Sequence, residues 1–275
     1  SESRRPNPVG GTRCVRGRSR RASSPRFAPS GSFHPVERIE YQVMYRNRLA
    51  QSVPAVRERI AAAAERVGRG PGEVRVVPVT KGHPLEAVEA ALEAGFGEVG
   101  ENRVEELEQK ATTVAPGRVR WHMIGHLQRR KAAVARQLSR MLHSLDSVRL
   151  AERLERVAPP GVEPLPVLIQ VNTSGEEAKY GFAPEAALPA LERILELKTL
   201  RVDGFMTMAP FTGDERVLRS TFRRLRELHE EARRTVDGYG GTELSMGMSN
   251  DYELAVEEGS TMLRLGTVLF GERPE

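Results

Sequence analysis

The chain has 275 residues, 39% hydrophobic and 29% charged, with a formal net charge of +5 and one cysteine. That balance suits a globular protein with a sizeable core, and no run of about 18 apolar residues offers a membrane span. The lone Cys14 excludes an internal disulfide and a cysteine-built metal cluster, and such usage fits a reducing compartment, so a cytoplasmic location is expected. The positive charge is concentrated at one end: residues 1–43 hold nine Arg against three Glu, a net +6, so residues 44–275 carry −1. No nucleic acid or membrane partner is therefore expected for the folded domain.

Residues 1–43, rich in Arg, Ser, Pro and Gly, read as a disordered extension, because they cannot bury enough apolar surface to offset the entropy of ordering them. The same composition is compatible with an organelle-targeting peptide or a nucleic-acid-binding arm. The domain is expected over 44–275, beginning near Met44. Val53, Val56, Ile60, Ala63, Ala64 and Val67 then recur at helical spacing until Gly68, which predicts an amphipathic N-terminal helix.

Strands and helices alternate from there to the end. The predicted strands are Arg75–Thr80, Glu98–Gly100, Arg120–Ile124, Met141–Leu145, Val167–Val171, Val202–Met206, Glu243–Ser245 and Met262–Leu265. The predicted helices include Leu85–Ala94, Val104–Thr112, Val148–Val157, Pro184–Leu195, Glu215–Arg233 and Tyr252–Glu257. Eight strands interleaved with helices predict an α/β fold, a single (β/α)8 TIM-type barrel. An open doubly wound sheet is the competitor, but no G-x-G-x-x-G turn follows the first strand. Pro78 sits oddly inside that strand, since proline has no N–H for a ladder.

Polar residues collect at the strand ends: Lys81, Glu101–Asn102, His122 to His126, Asp146, Asn172–Thr173, Met206–Thr207, Ser245–Ser249 and Arg264–Thr267. Parallel barrels keep their sites on this C-terminal rim. Lys81 follows Val76, Val77 and Val79, so its stem starts in the barrel interior. Burial lowers a lysine's pKa and favours the neutral amine that attacks an aldehyde. The alternative is a rim lysine paired with Glu101. Ser245-Met-Gly-Met-Ser249 and Arg264-Leu-Gly-Thr267 together resemble an anion site, with Ser249 as N-cap of a helix starting near Asn250. His122 and His126 stand four apart but lack an H-E-x-x-H signature, so no metal is expected. Trp121 reads as core.

Taken together, VTKGHP, GEVGENRVEE, WHMIGHLQRRK, LHSLDS, VLIQVNTSGEEAKYGF, GFMTMAP and LSMGMSNDYELAVEEGSTMLRLGTVLFGER resemble the pyridoxal phosphate homeostasis family, over about Val53 to Arg273. The resemblance implies a barrel of the alanine racemase N-terminal domain type with pyridoxal 5'-phosphate (PLP) as cofactor. It implies a Schiff base on Lys81, Asn102 near the cofactor ring, Ser249, Gly266 and Thr267 on the phosphate, and Arg264 facing the pyridine nitrogen. It further implies a role in vitamin B6 homeostasis without established turnover and with no catalytic residue assigned, PLP-dependent apo-enzymes being possible recipients. The rival is a PLP-dependent racemase or decarboxylase. Such enzymes carry an added β domain, whereas the barrel is expected to take up this chain and leave only Gly271 to Glu275, and neither Tyr180 nor Tyr252 lies in a recognisable acid/base motif.

Overall fold

The computed structural model describes residues 35–176 and 179–274. Residues 1–34, most of the expected extension, lie outside the described residues. Residues 35–43 belong to helix α1 (Pro35–Glu65), which corrects the expected boundary at Met44. The reason is an apolar stripe that continues upstream: Tyr41, Tyr45, Leu49 and Val53 recur every four residues, on one face of the helix. Arg38 pairs with Glu86 and Glu89, each at 3.2 Å, and Gln42 donates to Glu89 at 3.0 Å. Pro54 lies inside α1 on its exposed side.

The remaining elements follow in strict alternation: β1 (Arg75–Pro78), α2 (Leu85–Glu93), β2 (Glu98–Glu101), α3 (Val104–Thr113), β3 (Arg120–Met123), α4 (Ala132–Leu138), β4 (Met141–Leu145) and α5 (Val148–Arg156). Then come β5 (Leu165–Gln170), α6 (Pro184–Leu195), β6 (Leu200–Met206), α7 (Glu215–Thr235), β7 (Glu243–Ser245), α8 (Tyr252–Glu257), β8 (Met262–Leu265) and α9 (Thr267–Phe270). The expected α/β barrel is therefore present, with α9 as an addition. All neighbouring strands pair in parallel, in the order β1-β8-β7-β6-β5-β4-β3-β2. The ring closes between β1 and β2 through the Val79–Gly100 bridge and the Thr80 N–H on the Gly100 carbonyl at 3.2 Å.

That seam explains Pro78. Arg75 and Val79 donate to β8 or its leading residue, at Thr261 and Leu265, whereas Thr80 donates to Gly100. Backbone groups alternate sides along a strand, so the Pro78 nitrogen faces the sparsely bonded β2 side and removes no bond to β8.

Alternation also sorts the side chains into two cores. Val77, Met141, Leu168, Met206 and Met262 form a cluster inside the barrel. The larger cluster lies between strands and helices and holds Val99, Trp121, Met123 and Val167, with Trp121 in the core as expected. Burying each such large apolar side chain contributes roughly 1.5–3 kcal/mol.

Four buried imidazoles make this packing sensitive to acid. Burial pushes the pKa of His83, His122 and His229 down to about 4, and that of His143 well below its ordinary value. Between the ordinary histidine value and about 4 the unfolded chain binds more protons than the native one, so stability is full above that range and is lost as pH falls through it. Each ring contributes a slope of about 1.4 kcal/mol per pH unit. The urea midpoint is expected to fall steeply from pH 7 to pH 5; a flat profile would mean that these rings are protonated in the fold.

Candidate functional site

The last residues of β1, β2, β7 and β8, adjacent in the closed ring, bring the candidate residues to one side of the C-terminal rim. Lys81 shares the parity of Val77, so it leaves the strand on the lumen side. β2 alternates in the same way: Val99 packs in the outer core, and Glu101 shares its side. The expected alternative of a Lys81–Glu101 pair is thus excluded by parity. Glu101 is instead bonded to Thr80 Oγ1 at 2.5 Å and to the buried Lys110 Nζ at 2.6 Å. Lys110 also donates to the Thr80 carbonyl at 2.8 Å, which secures the backbone next to Lys81.

Among the described residues, no hydrogen bond or ion pair engages the Lys81 amine. Burial lowers its pKa first, with the nearby Arg273 and Arg264 cations adding to the effect and Glu106 and Glu101 opposing it. Arg273 crosses the turn after Lys81 closely: a Cβ on Gly82, whose φ is +72°, would stand 2.7 Å from Arg273 Cδ. The following turn is pinned by the Gly82 N–H on Glu106 Oε2 at 2.8 Å.

Arg264 is 4% exposed and projects from β8 on the lumen side, the side of Met262. It donates to Ser245 Oγ at 2.6 Å and to the Thr207 carbonyl at 2.9 Å. Burial lowers its pKa to about 10, with Asp251 opposing, so it remains a cation at neutral pH. Asp251 accepts the Met248 N–H at 2.6 Å, and burial raises its carboxyl pKa.

Ser249 does not cap the following helix, a correction to the expectation. α8 begins at Tyr252 with Asp251 before it, and the Ser249 hydroxyl turns the other way, to the Gly266 N–H at 3.3 Å and the Val268 N–H at 3.2 Å. The turn carrying it is tight, since Gly247 has φ +98° and a Cβ there would meet Ala255 Cβ at 2.6 Å. Gly266 lies against β1, 3.4 Å from its notional Cβ to the Val79 carbonyl, and the exposed Thr267 follows. Asn102 sits just past β2, on the lumen parity of Gly100, and its carbonyl approaches so closely that a Cβ on Gly125 would lie 2.2 Å away.

The other rim residues point to different work. His126 is bonded to Asp146 at 2.8 Å and stacked on Tyr180, whereas His122 is buried in the lumen, so the two do not share a face. Among the described residues, no group of three His, Cys, Asp or Glu could hold a metal. Sequence reading missed Arg273, Asp251 and Lys110 as neighbours of the site. The available signal was the helical spacing that places Lys110 on the buried stripe of α3, three residues after Leu107 and six after Val104.

The barrel and its rim define the class first. Residues 52–274 match the family described as alanine racemase, N-terminal domain. The curated relative named pyridoxal phosphate homeostasis protein in Pseudomonas aeruginosa is 39% identical over 226 residues, covering 82% of this chain and 96% of the relative. That of Aquifex aeolicus is 39% identical over 218 residues, covering 79% and 95%. The chain belongs to the pyridoxal phosphate homeostasis family, on an alanine-racemase-type barrel. A solved structure of PipY from Synechococcus elongatus with PLP bound is 34% identical at a TM-score of 0.67, covering 78% of this chain and all of that one. Alanine racemase of Clostridium difficile, 14% identical with a TM-score of 0.66, shares the fold.

Proposed function

We propose that this protein binds PLP and takes part in PLP homeostasis, with Lys81 as the point of covalent attachment. The observation that carries this reading is the Lys81 amine: lumen-side, partly buried, unpaired among the described residues and held below the ordinary lysine range. In such a state the Lys81 nitrogen condenses with an aldehyde, forming a C=N bond and releasing one water. The PipY structure and the relatives' names support PLP as the aldehyde.

The residues present fit the cofactor. One Ser249 hydroxyl is shared by two N–H groups at 3.2 and 3.3 Å, and these long bonds would yield to a stronger phosphate acceptor. Gly266, Thr267 and Ser249 would hold the phosphate, Asn102 would lie beside the ring, and Arg264 would face the pyridine nitrogen. A permanent cation there disfavours protonation of that nitrogen and weakens the ring as an electron sink, which suits a carrier better than a racemase or decarboxylase. Hand-over to PLP-dependent apo-enzymes, in the cytoplasm, belongs to the same reading.

The test is to load the full chain with PLP, reduce with borohydride and map the modified peptide; the phosphopyridoxyl group is expected on Lys81. A main label on another lysine would overturn the assignment. Thr267→Val removes one hydroxyl from a charged acceptor, a loss of about 1.5–3 kcal/mol, so PLP affinity should fall about ten- to a hundredfold. Arg264→Ala should act chiefly on the absorption spectrum. Parent-like titrations of both variants would mean that the end of β8 does not touch the ligand.

A further inference from the structure

The lumen below Arg264 is not filled by apolar side chains alone. Four buried polar groups from β3, β4, β7 and β8 form one line: Arg264 Nη1 to Ser245 Oγ at 2.6 Å, Ser245 Oγ to His143 Nδ1 at 2.9 Å, and His143 Nε2 to His122 Nδ1 at 2.8 Å. His122 Nε2 ends the line 3.8 Å from Glu98 Oε2 and has no closer partner. Glu98 in turn meets Arg120 at 3.1 Å and Arg75 at 3.6 Å, and Arg75 pairs with Glu243 at 2.6 Å. A polar line thus runs through the barrel from the N-terminal ion cluster to the C-terminal site.

Its direction can be deduced. An arginine only donates, so Ser245 Oγ accepts from Arg264; among the described residues its own O–H has no acceptor but His143 Nδ1, to which it donates. His143 then carries its proton on Nε2 and donates to His122 Nδ1. His122 must likewise carry its proton on Nε2, aimed at Glu98. Both rings are neutral in this arrangement: a proton on His122 Nδ1 would face the His143 Nε2–H, and one on His143 Nδ1 would turn the Ser245 O–H away from its one acceptor among the described residues.

We propose that His143, with His122 behind it, is a positioning residue that acts through Ser245 to hold the Arg264 guanidinium where it meets the ligand ring, Arg264 setting the polarity of the whole line. The ligand part of this inference rests on the PLP reading above. The line itself does not.

Two measurements separate them. In the full chain without PLP, nitrogen-15 spectra should show both rings protonated on Nε2 and not on Nδ1, with slowly exchanging Arg264 guanidinium protons; an Nδ1–H form of either ring overturns the line. His143→Leu removes the acceptor for Ser245, so the guanidinium signals should broaden. PLP affinity should fall about tenfold, the effect of roughly one hydrogen bond, and the absorption band should shift. Borohydride labelling of Lys81 should persist. His143→Asn offers its Oδ1 in place of Nδ1 and should restore the parent affinity and spectrum, which a merely structural histidine would not predict. Parent-like behaviour of His143→Leu, or failure of His143→Asn to rescue, overturns the positioning role. If the parent takes up no PLP, the proposed function fails and the ligand part fails with it, while the ring tautomers still decide the line.

Discussion

Lys81→Ala is expected to abolish the borohydride-fixed adduct entirely. The chain holds five lysines, and the others are unsuited. Lys110 is buried against Glu101, Lys131 pairs with Glu105, and Lys179 pairs with Glu176 while donating to the Met208 carbonyl. Lys198 is exposed and precedes β6, at the opposite rim. The variant should still take up PLP weakly through the phosphate donors, visible as a free-aldehyde spectrum that borohydride bleaches without labelling the protein. A stoichiometric label in Lys81→Ala would show that the reactive amine lies elsewhere. Because the Lys81 side chain has no partner among the described residues, its loss should leave the urea midpoint nearly unchanged, so the chemical and structural effects separate cleanly.

The second large effect is on stability. Lys110→Met leaves the Glu101 carboxylate buried at 0% exposure with its cation gone, and leaves the Thr80 carbonyl with the His83 N–H, at 3.0 Å, as its remaining donor. Breaking a buried pair from one side costs about 3–5 kcal/mol, whereas replacing both partners by apolar groups is often neutral. Lys110→Met should therefore lower the unfolding free energy by about that amount, and adding Glu101→Leu should recover much of it. Measured by urea titration, a single-variant loss under about 1 kcal/mol would mean that water reaches the pair. The consequence for the site is that the residue before Lys81 is held by a buried ion pair on the outer side of the barrel. Partial destabilisation there should also loosen the Lys81 turn and slow adduct formation.

What the sequence determined by itself was the order and type of the elements. The strands over Met141–Leu145, Glu243–Ser245 and Met262–Leu265 and the helices Pro184–Leu195 and Tyr252–Glu257 stand where the apolar spacing puts them. Burial on one face leaves a period of two or 3.6 that needs no distant partner to be read. It also put Lys81, Ser249, Arg264, Gly266 and Thr267 at strand ends on one rim, because a strand's polar successor is a local feature. The start of α1 escaped because its stripe was masked by the charged neighbours Arg38, Glu40 and Arg46.

Only the tertiary structure decided who meets whom. Ser249 reads locally as a cap, yet it bonds to amides 17 and 19 residues away. Glu101 reads locally as a rim acid, yet strand parity turns it outward to Lys110. His143 and Ser245 are 102 residues apart in sequence and 2.9 Å apart in the lumen. Such partners are set by the register and closure of the parallel ring, in which β1 pairs with β8 as Val77 with Arg264. Periodicity records which face of an element is buried. Register records which residues share that buried space, and it exists only once the strands have paired.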